Sequence, residues 1–288
     1  MGSKTPFLEV RSNVDICSVI YCPILFKGTG IPGPSEPYHG ASLQPNSVPT
    51  LSVSGPVDSA SQPQPVPPVG VPSIIEPCLS GTKGSDSSYF SGVMEWTFSA
   101  SQSDIQGRTG SNACVFIALL MGKLSFERNL TWPTSDLLPE SWKGALHEAM
   151  IKGNQIHDDL FDNEATNVTV DEADSLAGEE CGVQSLGQQT DIFGNAPINQ
   201  LSNWLMQEAQ NKSKSYYVIV ADERAFLLAM NGDQSVMIVD SHRHGSKGAI
   251  IACCQRGRVG SFALWFDAMM NTTWGVSLTI ASISPVYY

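Results

Sequence analysis

A change of texture near Ser88 limits what this chain can fold into more than any other feature. Between Ile31 and Pro77 lie 12 of its 18 prolines, mixed with Ser, Val, Gly and Gln and without an apolar period of 3.6 or 2. Such a stretch offers no continuous apolar face for a core, so residues 31–87 read as a Pro/Ser-rich flexible linker. Residues 1–30 remain open: Val19 to Tyr21 and Ile24 to Phe26 suit a strand, an anchoring peptide or the frayed end of a domain outside this chain. From residue 88 to 288 apolar segments recur between turn residues, a folded domain of ordinary single-domain size.

Within that domain helical spacing comes first. Asn112 to Phe126 has hardly a polar face and reads as a buried helix, with Ser111 or Asn112 as its N-cap. Trp142 to Ile151 and Ile198 to Gln210 carry amphipathic stripes, the second after a Pro197 start. Strand texture follows in Tyr216 to Ala221, Ala225 to Met230, Val236 to Asp240, Ala249 to Cys253 and Ser277 to Ser284, with a turn at Asn231-Gly232-Asp233 and one more helix at Ser261 to Met270. Helices followed by a mostly antiparallel sheet define an α+β layout. Asp158 to Glu180 holds nine acidic residues and no Lys or Arg, which predicts a solvated, mobile surface insertion or an acidic lip facing a basic partner.

Charge and cysteine usage narrow the function classes. A net charge of −12 repels a phosphate backbone, so nucleic acid is excluded as a partner. The most apolar early stretch, Asp15 to Phe26, is too short to span a bilayer and is broken by Pro23, and no export or lipidation signal opens the chain. No membrane partner is expected. Cys17, Cys22, Cys78, Cys114, Cys181, Cys253 and Cys254 are odd in number with no repeated spacing, which fits neither a disulfide framework nor a zinc set. An intracellular, reducing compartment is the expectation, and the four Asn-x-Ser/Thr sequons then carry no meaning. His147 and His157 match no metal spacing and read as surface residues, and Cys253-Cys254 reads as half core, half edge.

One constellation carries chemistry. Cys114 falls just inside a helix N-terminus, after Gly110-Ser111-Asn112-Ala113, where aligned backbone dipoles favour a thiolate. Far downstream the strand Val236 to Asp240 runs into Ser241-His242-Arg243-His244. In extended chain Asp240 and His242 share a face, so the carboxylate is able to orient the imidazole, with His244 a rival base. A helix-borne Cys followed by a strand-borne His is the chain order of papain-like thiol hydrolases. An oxyanion donor is also needed, and the backbone N–H of Cys114 and the side chain of Gln102, or its rival Gln106, are candidates.

Gln102, Cys114 in Ser-Asn-Ala-Cys-Val-Phe-Ile-Ala-Leu, and Asp240-Ser241-His242 together resemble the viral tegument-like deubiquitinases, a family of papain-like cysteine proteases related to the ubiquitin protease domain of the herpesvirus large tegument protein. The resemblance covers roughly residues 88–288. It implies a papain-like fold with the nucleophile helix packed on the sheet, and Cys114 as nucleophile, His242 as base, Asp240 as orienter and Gln102 in the oxyanion hole. It further implies ubiquitin or polyubiquitin chains, or a ubiquitin-like modifier, as substrate, with no metal or organic cofactor. Two other readings of the same residues stay open: an inactive ubiquitin-binding module, and a papain-like hydrolase or acyltransferase acting on another protein.

Overall fold

The computed structural model describes residues 82–83, 90, 92–134, 137–211 and 213–288. The expectations for residues 1–30 and for nearly all of the Pro/Ser-rich linker lie outside the described residues. Thr82–Lys83, inside that linker, form a short strand β1 through backbone pairing with β2 (Val93–Thr97), which needs no apolar period to form.

Three helices follow: α1 (Cys114–Glu127), α2 (Glu140–Phe161) and α3 (Val170–Ala177). Then come β3 (Ser185–Leu186), β4 (Thr190–Phe193), α4 (Pro197–Glu208), β5 (Ser215–Ala221), β6 (Arg224–Met230), β7 (Val236–Asp240), β8 (Ile250–Cys254), α5 (Val259–Trp274) and β9 (Ile280–Tyr287). The strands form one sheet in the order β1-β2-β8-β7-β6-β5-β9-β3, with β4 also on β9, and every pairing is antiparallel. This is an α+β fold.

Both faces of the sheet are covered. Tyr216, Val218, Leu227, Met237, Val239 and Ile251 pack with α1, α2 and α3, while Tyr217, Ile219, Phe226, Ile238, Ile250 and Ala252 pack with α4 and α5. Burial on both sides explains why the strands read as continuous apolar runs instead of a clean alternation. Cys253 and Cys254 divide between the two cores in the same way, and β8 lies between β2 and β7, so neither is an edge residue. Helix α1 lies inside the first core and is buried on almost every side. Gly153 lets α2 approach it, because a Cβ there would run into the side chain and backbone of Ile117.

Several sequence expectations change. Helix α2 is twice the length that the Trp142 stripe suggested, because Asn154, Ile156 and His157 extend its buried side. His157 is therefore a core residue, with Nε2 2.8 Å from the Thr166 carbonyl and its ring beside Phe116 and Phe161. The acidic segment is not a loose insertion: its first part continues α2, and its middle forms α3. A capping box starts α3, in which Thr169 Oγ1 accepts from Glu172 N–H and Glu172 accepts from Thr169 N–H. Strands β2, β3 and β4 carry too little pattern over their few residues to be read from sequence.

Candidate active site

The site gathers at the end of β7, the start of α1 and the hairpin between β5 and β6. Asp240 is the last residue of β7 and is fully buried. Ser241 and His242 turn away directly after it, and the extended geometry expected for Asp240-x-His242 is replaced by a turn in which His242 donates its backbone N–H to Asp240 Oδ1 at 2.9 Å. The same oxygen lies 2.7 Å from His242 Nδ1, so the ring donates there and leaves Nε2 for the thiol. Cys114 and His242 line one cleft and act on each other's charge, and the backbone of Ala225 at the start of β6 acts on the thiol as well.

Electrostatics sharpen this chain. Burial pushes the Cys114 thiol up, but the hydrogen bond and charge of His242 outweigh it and the net shift is downward. Burial also opposes a charged His242, yet the Asp240 carboxylate wins and, with the Cys114 contact, lifts the imidazole to about 10. At Asp240 burial works upward, while the charges and hydrogen bonds of His242 and His244 hold the carboxyl below its usual range. Both shifts run toward a thiolate beside an imidazolium. By contrast, burial pushes Cys181, Cys253 and Cys254 up to about 12, as expected of inert core thiols.

The two histidines part company here. His242 lines a cleft of about 210 Å³ together with Gln102, Ser111, Asn112, Cys114, Asn167, Asp222, Glu223 and Arg224, and His244 is not among these residues. His244 instead places Nε2 2.8 Å from the other Asp240 oxygen, Oδ2, and Nδ1 3.1 Å from Thr273 Oγ1 at the end of α5.

Gln102 also lines the cleft, whereas Gln106 sits exposed on a 3-10 turn at Ile105–Gly107, outside it. Gln102 is tied down on all sides. Its N–H donates to Ser241 O at 2.8 Å, its Oε1 accepts from Ser241 Oγ at 2.6 Å, and its Nε2 donates to Ser111 O at 3.2 Å. Its own carbonyl accepts from Asn154 Nδ2 of α2 at 2.9 Å. Asn154 in turn accepts from Ser111 Oγ at 2.6 Å, and Ser111 Oγ accepts from Ala113 N–H at 3.1 Å. One buried amide thereby registers the Gln102 loop on the start of α1. The N-cap of α1 is Ala113, not Ser111 or Asn112, and no side chain caps it. The N-terminal dipole of the helix is therefore left for the cleft.

Other contributors carry no sequence motif. Trp274 packs edge-on to His242 at 5.9 Å and against His244 at 5.0 Å, and it is covered in turn by the Arg224 guanidinium at 4.4 Å. Phe226 closes the other side of His242 at 5.7 Å. Across the cleft Asn112 Nδ2 donates to Asn167 Oδ1 at 2.6 Å, which brings the segment before α3 onto the rim. Asp158 anchors that region through a bidentate pair with Arg108 at 2.5 and 2.8 Å. The other rim is the β5–β6 turn, where Asp222 and Glu223 take positive φ and stand exposed.

A helix that opens on a thiol thus packs on an antiparallel sheet whose strand β7 ends at Asp240, with His242 two residues beyond. No protein-family model matches the chain, and no curated protein matches it either. Among solved structures it is similar to the ubiquitin-specific protease encoded by the murine cytomegalovirus tegument protein M48, in complex with a ubiquitin-based suicide substrate. The TM-score there is 0.44 at 10% identity, covering 67% of this chain and 85% of that one. It is also similar to the Pseudomonas avirulence protein AvrPphB, with a TM-score of 0.40 at 14% identity, covering 60% of this chain and 92% of that one.

Proposed function

We propose that the chain is a cysteine isopeptidase that cleaves after the C-terminal glycine of ubiquitin. The observation that carries the reading is the placement of Cys114 and His242 in one cleft of about 210 Å³, with His242 hydrogen-bonded to the buried Asp240. In the reaction the Cys114 thiolate adds to the carbonyl carbon of the scissile amide. The negative charge that develops on oxygen is met by the backbone N–H of Cys114 and the Gln102 amide. The imidazolium of His242 then gives its proton to the departing lysine amine as the C–N bond breaks, leaving a thioester. Water, deprotonated by the now neutral His242, adds to the thioester, and the C–S bond breaks to release the carboxylic acid, which ionises in solvent, and to restore the Cys114 thiolate beside the His242 imidazolium. Asp240 keeps Nδ1 as the donor throughout.

Two features support ubiquitin as the substrate. The Gln102, Cys114 and Asp240-x-His242 constellation resembles a deubiquitinase family, and a rim bearing Asp222 and Glu223 on a chain of net charge −12 suits the basic face and arginine-bearing tail of ubiquitin. A small cleft suits an extended Gly-Gly end better than a bulky side chain. The test is incubation with ubiquitin bearing a C-terminal propargylamide. A covalent adduct on Cys114 that is lost in Cys114→Ala is the expected result. Tight binding without an adduct would replace the reading by an inactive ubiquitin-binding module, and neither binding nor adduct would point to another protein substrate.

A further inference from the structure

Asp240 is the most deeply committed polar residue of the site, and the hydrogen bonds to His242 account for only half of it. Oδ1 receives the backbone N–H and the ring Nδ1–H of His242. Among the described residues Oδ2 receives a single donor, Nε2 of His244, at 2.8 Å. A buried carboxylate oxygen accepts and does not donate, so Nε2 of His244 carries a proton; in the neutral ring Nδ1 then accepts from the Thr273 hydroxyl at 3.1 Å. The His244 side chain is almost wholly enclosed and lies against Trp274.

The carboxylate can turn about its Cβ–Cγ bond unless both oxygens are held. With Oδ2 released, the plane of the carboxylate is free to rotate, and Oδ1 can no longer hold one fixed direction toward His242. Water gains a route to the vacated place, because a separate cleft of about 460 Å³, lined by Glu95, Lys247 and Trp265 among others, reaches His244 and Thr273. We infer that His244, backed by Thr273, is a positioning residue that locks the Asp240 carboxylate in the plane that aims it at His242. The series of the site thus runs further than the sequence motif, from Thr273 on α5 through His244, Asp240 and His242 to Cys114. The inference rests on Cys114 acting as the nucleophile, and its test separates the two.

Two rates are measured on wild type, His244→Ala, His244→Gln, His244→Leu and Thr273→Val. The first is hydrolysis of ubiquitin carrying a C-terminal aminomethylcoumarin. The second is alkylation of Cys114 by iodoacetamide, mapped by mass spectrometry, which needs no substrate. His244→Ala is expected to lose about 10- to 100-fold in kcat with KM within about twofold, the scale of a misplaced catalytic group. Gln carries an N–H where His has Nε2–H, and should recover all but about threefold of the loss. Leu fills the space without a donor and should behave like Ala, and Thr273→Val should move the same way by a smaller factor. Alkylation rates should keep the same order.

An unchanged rate in His244→Ala, or Leu restoring activity as well as Gln, overturns the inference. Should His244→Ala not fold, as read by circular dichroism, the comparison of Gln with Leu decides. A wild-type Cys114 that alkylates no faster than in the urea-unfolded chain overturns the nucleophile reading and the inference together. A fast wild type with unmoved variants overturns only the inference.

Discussion

At the scale of single residues the proposed reaction depends on which atom of His242 holds the proton. Asp240→Asn preserves shape but offers an amide N–H toward Nδ1, so the ring flips its tautomer; a fall in kcat of about 10³- to 10⁴-fold is expected, with KM little changed, in steady-state hydrolysis of a ubiquitin C-terminal amide. The pH dependence follows from the opposed shifts of Cys114 and His242. Activity should rise as pH climbs through the lowered thiol value, hold a plateau, and fall as His242 deprotonates near 10. Stability has its own sign. Between about 6.5, where a free imidazole loses its proton, and about 8.5, where a free thiol does, the loss of the His242 contribution and the gain of the Cys114 contribution oppose each other. Above that window the unfolded pair has none while the folded pair keeps its proton up to about 10, so the pair's contribution shrinks as pH rises and unfolding midpoints should drop. A midpoint that climbs between pH 8.5 and 10 in thermal melts would reject the assignment. Cys114, Asp240 and His242 were legible because a helix start and a strand end announce themselves locally. Asn154, Trp274 and Thr273 were not, since each reaches the site only through the packing of α2 or α5, and the sequence around them reads as ordinary helix.

At the scale of elements the register of the site rests on backbone contacts more than on motifs. Phe98 N–H donates to Ala249 O at 2.9 Å, Gly248 N–H to Phe98 O at 2.7 Å, and Ala249 N–H to Ala100 O at 2.8 Å. These bonds press the strand leading to Gln102 against the loop that follows His244. A Cβ at Gly248 would collide with the Ala100 backbone. Gly248→Ala should therefore lower the unfolding midpoint by an amount typical of forced backbone shifts, about 1–3 kcal/mol in urea titration, and reduce activity alongside. Thr169→Ala removes the cap of α3 and should cost about 0.5–2 kcal/mol in the same titration while leaving Cys114 alkylation unchanged. The capping box stands in the sequence as Thr169-x-x-Glu172, but the helix it opens is only eight residues long, too short for an apolar stripe to repeat. The length of α2 was hidden for a different reason. Its second half buries Asn154 and His157, polar residues that a hydrophobic stripe does not count.

At the scale of the whole molecule the acidic surface and the buried chemistry respond differently to the solvent. Asp222, Glu223 and the acidic residues around α3 are exposed, so the attraction of the proposed basic substrate to them would be screened within about 8 Å at physiological salt. Raising the ionic strength should slow association and raise KM for the ubiquitin amide, while kcat, set by the enclosed Cys114–His242–Asp240 series, stays nearly constant. A kcat that falls as steeply as the association rate would show that the charges act on chemistry and not on docking. The two-faced sheet was only partly legible, because continuous apolar runs announce double burial without saying which helices supply each layer. The same sheet has a consequence for the newly synthesised polypeptide. Cys114 emerges from the ribosome long before β7, and until β7 pairs with β6 and β8 it has no imidazole beside it. Until that pairing the sulfur is an ordinary thiol, and its downward shift comes into being only when β7 has closed between its two neighbours.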